Sequence, residues 1–177
     1  NYLSEVQPVF DAKCLGCHDY GGAGAAKVTL AGDKGVCFNA SYAELWRKKY
    51  TGAVGAGPAA LLPAKAWGSH ASKLVQTLRG SHAGRVSLAA AELDRIVTWL
   101  DLNAVYYPDY SANYPGNAGG RSPLTFAQLS QLTAYTGTNV LNADSVKSLG
   151  ELISFDRPAL SPCLSGVSGS NYDSALA

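Results

Sequence analysis

The chain has 177 residues, 47% of them hydrophobic, and a formal net charge of +1. That length supports one domain, or one domain with an extension, and the composition excludes a disordered chain. The near-neutral charge leaves no electrostatic footprint for nucleic acid or an anionic membrane surface, and no apolar run is long enough for a transmembrane helix.

Ser4 is placed to cap a short helix carrying Val6, Val9 and Phe10 on one face. The helix runs into Cys14-Leu15-Gly16-Cys17-His18, the Cys-x-x-Cys-His signature of covalent haem attachment. Two thiols at this spacing add across the porphyrin vinyl groups, and the next residue offers an imidazole to the iron. Cys14 and Cys17 are thus the expected anchors of one covalent haem c, and His18 its proximal ligand. A thioredoxin-like pair would need a βαβ pattern, which does not follow. A zinc site would need two more paired ligands, and the remaining cysteines stand alone. Phe10 lies four residues before Cys14 and is expected against the haem edge.

Residues 21–35 read as a Gly/Ala/Lys loop with Val28-Thr29-Leu30 as its apolar anchor. Ser41-Tyr42-Ala43-Glu44 has the form of a capping box opening a helix with Leu45, Trp46 and Tyr50. Residues 51–63 form a Gly/Ala/Pro-rich loop, a spacer or a lid. Ser69 or Ser72 begins a helix with Leu74, Val75 and Leu78, ending at Gly80. Ser87 is expected to cap the strongest helix, with Leu93, Ile96, Val97 and Leu100 as its stripe and Trp99 widening it. Leu78 and Trp99 are expected beside the haem, Trp99 alternatively on the N-terminal helix. Asp101 and Asn103 are expected to hold the chain as it leaves that helix. Tyr106, Tyr107, Tyr110 and Tyr114 wrap the core or form a docking surface. Pro123 and Thr125 start a further helix with Leu124, Phe126, Leu129 and Leu132, and a short helix is expected over 146–152.

The chain contains no methionine, which excludes the His/Met ligation that raises haem potentials. Apart from His18 the histidines are His70 and His82. His82 sits in a loop shortly before the Ser87-Leu88 and Glu92-Leu93 helix start, where small cytochromes c carry their distal methionine. It is the expected sixth ligand, with His70 the alternative; an open iron or a tyrosinate ligand stays available. Lys73, Arg79 and Arg85 flank these histidines and are either propionate partners or ordinary solvated charges.

Val6-Gln7-Pro8-Val9-Phe10 leading into the attachment motif resembles planctomycete-type cytochrome c domains. Trp67-Gly68-Ser69-His70 with Ser72-Lys73-Leu74 shares the resemblance, as does Val97-Thr98-Trp99-Leu100-Asp101-Leu102-Asn103-Ala104 with Tyr106-Tyr107. The pattern is similar to the haem domain family of the hydrazine synthase alpha subunit and to cytochrome modules of large secreted bacterial proteins. It covers roughly residues 6–125. It implies a mostly α fold, a class I-like monohaem cytochrome c core with long loops, here followed by a C-terminal helical extension. It does not imply hydrazine chemistry, which belongs to a multi-subunit complex.

The expected organisation is a haem domain over 1–118 and an extension over 119–177 packed on it. A Cys37–Cys163 bridge is one way to pin the extension; two separate thiols are the other. The segment 2–10 lacks a leader pattern, and haem c is attached outside the cytoplasm, so a piece of a larger periplasmic or extracellular protein is expected. The expected function is electron transfer to or from a redox partner protein or fused domain, without nucleic acid or a membrane span. Oligomeric state is open. The alternative is a haem enzyme, peroxidase-like or handling nitrogen oxides, or a ligand sensor, each needing an open distal site.

Overall fold

The computed structural model describes residues 1–54, 61–109, 111–141 and 150–177. Within them the chain is mostly helical, and the one β-pairing is an isolated antiparallel bridge between Lys34 and Asn39. No helix among the described residues is long and apolar enough to cross a membrane. The chain divides into two compact units: residues 1–30 with 48–109, and residues 31–47 with 110–177. The division expected at 118/119 therefore differs from the compact units. Residues 31–47 group with the C-terminal part because Asp33, Lys34 and Cys37 find partners there.

Unit 1 opens with a π-turn over Tyr2–Val6 that continues into α1, Gln7–Lys13. Its cap is Asn1 rather than Ser4: the Ser4 N–H donates to Asn1 Oδ1 at 3.2 Å. Pro8 sits in the first turn of α1, where its missing N–H costs nothing. The single turn α2, Leu15–His18, follows directly. Further along come α4, Gly68–Ala71, α5, Lys73–Arg79, and α6, Ala90–Asp101. (α3, Ala40–Arg47, belongs to unit 2.) Ser72 precedes α5, but its hydroxyl donates to the Tyr50 carbonyl at 2.7 Å instead of capping the helix.

The start of α6 is a correction to the sequence reading. Residues 87–89 are not helical, and Ala89, not Ser87, is the N-cap. The Glu92 carboxylate reaches back to accept the Ala89 N–H at 2.7 Å, placing a negative charge at the positive end of the helix. Ile96, Trp99 and Leu100 form the buried stripe, while Leu93 and Val97 are half-buried. Tyr2 is the hub of the core. Its ring centroid lies 5.0 Å from Trp99, 5.7 Å from Tyr106 and 6.4 Å from Phe10. Burying aromatics of this size contributes about 1.5–3 kcal/mol each, which locks the N-terminal segment to α6. The helix ends at Asn103 in left-handed backbone (φ 66°), a conformation asparagine tolerates. The Asn103 carboxamide then bonds both ways to the Val54 backbone, at 2.7 and 3.1 Å.

Unit 2 contains α3, Ala40–Arg47, α7, Phe126–Thr136, and α8, Ser170–Leu176, with 3-10 turns at Ala118–Gly120, Pro158–Leu160 and Pro162–Leu164. The Ser41–Glu44 capping box does not form. Asn39 Oδ1 accepts the Tyr42 N–H at 3.0 Å and the Ser41 hydroxyl at 3.2 Å, so the helix starts two residues earlier. Glu44 turns instead to Arg47 at 2.6 Å. Thr125 does cap α7, in reciprocal bonds with Gln128, and Gly137 ends it with φ 69°. Leu129 is wholly buried there, whereas Phe126 is exposed. Of the helix expected over 146–152, residues 146–149 lie outside the described residues, and 150–152 are not helical. Residues 55–60 of the 51–63 loop, and Tyr110, also lie outside them.

Candidate functional site

The site is built in unit 1 from two short pieces of chain. Cys14 breaks the path between α1 and α2, with its N–H bonded to the Phe10 carbonyl at 2.8 Å. The His18 N–H then bonds to the Cys14 carbonyl at 3.0 Å, which sets Cys14 and His18 one turn apart on the same face. Cys17 is exposed and Cys14 half-buried. Burial, and then the neighbouring Cys17, push the Cys14 thiol up to about 11, so it is protonated at neutral pH.

The loop after α2 folds back over His18. The Leu30 N–H bonds to the His18 carbonyl at 2.8 Å, and the Gly24 N–H to the Cys17 carbonyl at 2.7 Å. His18 Nδ1 lies 2.8 Å from the Val28 carbonyl oxygen. A carbonyl only accepts, so Nδ1 carries a proton and Nε2 is the ring nitrogen left to meet a metal. Gly24 lies flat against the ring. A Cβ there would stand 2.6–2.8 Å from three ring atoms, which no ordinary contact allows.

The second piece is the segment between α5 and α6. The His82 N–H bonds to the Thr77 carbonyl at 3.0 Å, and Arg85 and Val86 donate to the His82 carbonyl at 3.0 and 3.2 Å. His82 Nδ1 is 3.2 Å from the Ser81 hydroxyl, which can accept its proton and leave Nε2 basic.

The rings of His18 and His82 are 64 residues apart in sequence, and their centroids stand 6.0 Å apart. Two imidazoles on opposite faces of one metal ion have centroids about 6.2 Å apart, given a metal–nitrogen bond of about 2 Å and a ring radius of about 1.1 Å. The spacing of the two rings is thus that of two imidazoles sharing one metal ion, with Cys14 at the N-cap of α2 and Cys17 within it. Among the described residues no group of three or more His, Cys, Asp or Glu side chains is arranged to hold a bare metal ion.

His70 is not part of this arrangement. It stands on α4, exposed, lining an open groove with Ser69, Gln76, Arg79 and Asp101. Asp101 spends its carboxylate on the Ser69 N–H (2.7 Å) and hydroxyl (3.2 Å), a fastening of α4 to α6. Phe10 and Trp99 are buried, and the ring that packs against both is Tyr2; Trp99 Nε1 also donates to the Val105 carbonyl at 2.9 Å. Leu78 is half-buried on α5, one turn before His82. Lys73 lies over the Tyr50 ring at 4.3 Å, while Arg79 and Arg85 are exposed.

Sequence reading missed three residues of the site. Gly24 was one glycine in a glycine-rich loop, Val28 contributes a carbonyl that any residue has, and Ser81 was one loop serine. No family model matches the chain, and neither curated proteins nor solved structures give a significant match.

Proposed function

We propose that the chain is a monohaem c-type cytochrome domain that passes electrons to or from a protein partner or fused domain, in the periplasm or outside the cell. One haem c would be held through Cys14 and Cys17, with His18 and His82 as the residues to ligate its iron. The single observation that carries this reading is the 6.0 Å pairing of the two imidazoles beside the Cys-x-x-Cys turn. When bound, the haem supplies a one-electron iron couple, low in potential relative to one with His/Met ligation.

The chain's own residues do the positioning. Val28 fixes the tautomer and rotation of His18, and Gly24 leaves room for its ring. The turn from Thr77 to Val86 carries His82, whose ring would supply the second imidazole. An electron carrier has both axial positions filled by protein, so that its coordination changes little between oxidation states. The second reading, a haem enzyme or ligand sensor, draws on one feature. Residues 79–81 and 83–85 are exposed, and the segment's backbone bonds run only to neighbours within 76–86, so His82 can detach without unfolding the unit.

The test is an optical and low-temperature EPR spectrum of the purified protein beside His82→Ala and His70→Ala. The expected result is a low-spin bis-imidazole signal lost in His82→Ala alone, with slow or negligible cyanide binding in the wild type. A high-spin wild type, or one that binds cyanide rapidly and tightly, overturns the carrier reading in favour of the second.

A further inference from the structure

Unit 2 holds the other two cysteines and places them in one core. Cys163 is buried on the Pro162–Leu164 turn, with its N–H donating to the Leu152 carbonyl at 3.0 Å. Cys37 is half-buried and packs against the same cluster, formed by Val36, Ala118, Leu129, Leu152 and Ile153 among others. Both are thiols. The residue before Leu152 is Glu151, whose side chain is buried in the same place. Its Oε1 accepts the N–H groups of Leu152 (3.0 Å) and Ile153 (3.4 Å), and the N–H of Val36, next to Cys37, also donates to the carboxylate. A Cβ on Gly35 would run into that carboxylate, so the glycine makes its room. Its charge acts on both thiols, and no cation pairs with it among the described residues.

We propose that unit 2 carries a redox site of its own: Cys37 and Cys163 are a dithiol that closes to an intramolecular disulfide on reaction with a disulfide oxidant, with the Glu151 carboxylate as proton acceptor. The proposal rests on unit 2 alone and not on the haem reading.

Cys37 reacts first because Cys163 is 2% exposed. The Cys37 thiolate attacks one sulfur of the oxidant; the oxidant's S–S bond breaks, one thiolate leaves, and a mixed disulfide forms on Cys37. The Cys163 sulfur then attacks the Cys37 sulfur, its proton passes to Glu151, and the second thiolate leaves. The dithiol loses two electrons and two protons, and the oxidant gains them as two thiols. Burial above all pushes the Cys163 thiol up to about 11, so it reacts slowly without a base. Burial also pushes Glu151 up to about 7, suiting it to accept a proton near neutral pH.

The test uses the full chain, reduced, desalted and incubated with oxidised glutathione, then quenched with an alkylating agent and mapped by mass spectrometry without reduction. The expected product is a Cys37–Cys163 cross-linked peptide pair, about 2 Da lighter than the two thiol peptides. Glutathione retained on Cys37 with Cys163 alkylated, both thiols alkylated, or a link between two chains overturns the proposal. The same map reads Cys14 and Cys17 separately, as thioethers or as alkylated thiols, so failure of the haem reading shows independently. Cys163→Ser is expected to stop at the Cys37–glutathione adduct. Glu151→Gln keeps the hydrogen-bond acceptor but not the base, and is expected to slow ring closure about tenfold with an unchanged circular dichroism spectrum. Closure at the wild-type rate would remove Glu151 from the proposal.

Discussion

Gly24→Ala isolates the contact that holds the His18 ring. Gly24 has no left-handed backbone, so alanine there introduces no conformational strain and acts through its Cβ alone. That Cβ meets Cε1, Nδ1 and Nε2 of His18 at 2.6, 2.7 and 2.8 Å. Carbon contacts settle near 3.5 Å, so something must move by about 0.8 Å. The backbone at Gly24 is not free to yield. Its N–H is bonded to Cys17, and its carbonyl accepts from Lys27 and Val28 at 2.9 and 3.1 Å. The ring therefore moves, and Nδ1 leaves the 2.8 Å bond to the Val28 carbonyl.

Overpacking of this kind costs about 1–3 kcal/mol, and the lost hydrogen bond about 1 kcal/mol more. A total near 3 kcal/mol lowers Tm by about 10–20 °C for a unit of this size. Gly16→Ala is the matched control. It lies in α2 with nothing within 4 Å of the added Cβ, and alanine favours helix by about 0.5–1 kcal/mol. Thermal and urea melts give the stability difference, and in haem-loaded protein the Soret and EPR spectra report the ligand shift. If Gly24→Ala melts within about 0.5 kcal/mol of Gly16→Ala with the same spectrum, the ring does not occupy this position and the account of the site is wrong.

Two further predictions concern unit 2. Burial raises Glu151 from 4.5 to about 7, against the lowering effect of the N–H groups of Val36, Leu152 and Ile153. Between those values the folded state holds a proton that the unfolded state has released, so stability falls as pH rises from 4.5 to 7 and then levels, by about 3 kcal/mol in all. Cys37, Cys163 and the Glu44–Arg47 pair beside Gly150 are the ionisable groups near it. Urea melts across pH 5–8 should show this slope and lose it in Glu151→Gln; a slope unchanged by the substitution rejects the assignment. Asp33→Ala removes a buried carboxylate that accepts from Arg157 Nε at 2.8 Å, Arg157 Nη2 at 2.6 Å and the Ser154 hydroxyl at 2.6 Å. Arg157 is partly exposed and re-solvates, so the expected loss is about 2–3 kcal/mol; a loss under about 0.5 kcal/mol in a urea melt contradicts it.

The parts readable from the sequence were those whose signal is chemical or periodic. The Cys-x-x-Cys-His spacing picked out Cys14, Cys17 and His18, which the structure sets on one turn. The stripe of Ile96, Trp99 and Leu100 pointed to α6. His82 stood out because the chain has three histidines and no methionine. Helix starts were read less well. Ser4 and Ser41 each sit near a cap, but Asn1 and Asn39 take it, because polar residues compete within two or three positions and backbone geometry decides among them; at Ala89 no side chain caps, and Glu92 closes the helix end in place of Ser87. The grouping of 31–47 with unit 2 was also hidden. It depends on pairings such as Asp33 with Arg157, 124 residues apart, which no local pattern encodes.

The two halves of the candidate site differ in how they are assembled, and that difference bears on how a covalent cofactor is acquired. The proximal half is local. Cys14, Cys17, His18, Gly24 and Val28 span 15 residues, and closing so short a loop carries little entropy cost. Under the proposed haem reading, this half would carry the attachment, and all its residues lie within one short stretch of chain. The distal half is not local. His82 lies between α5 and α6, 64 residues beyond His18, and α6 is seated on the N-terminal segment by Trp99 on Tyr2 and by Glu92 paired to Lys13 at 3.6 Å. If His82 ligates as proposed, its ligation would favour the packed arrangement of α6 on the N-terminal segment, because a ligand that binds only the folded state stabilises that state. For the proposed haem, the local proximal half and the distant distal half would then favour attachment first and distal closure second.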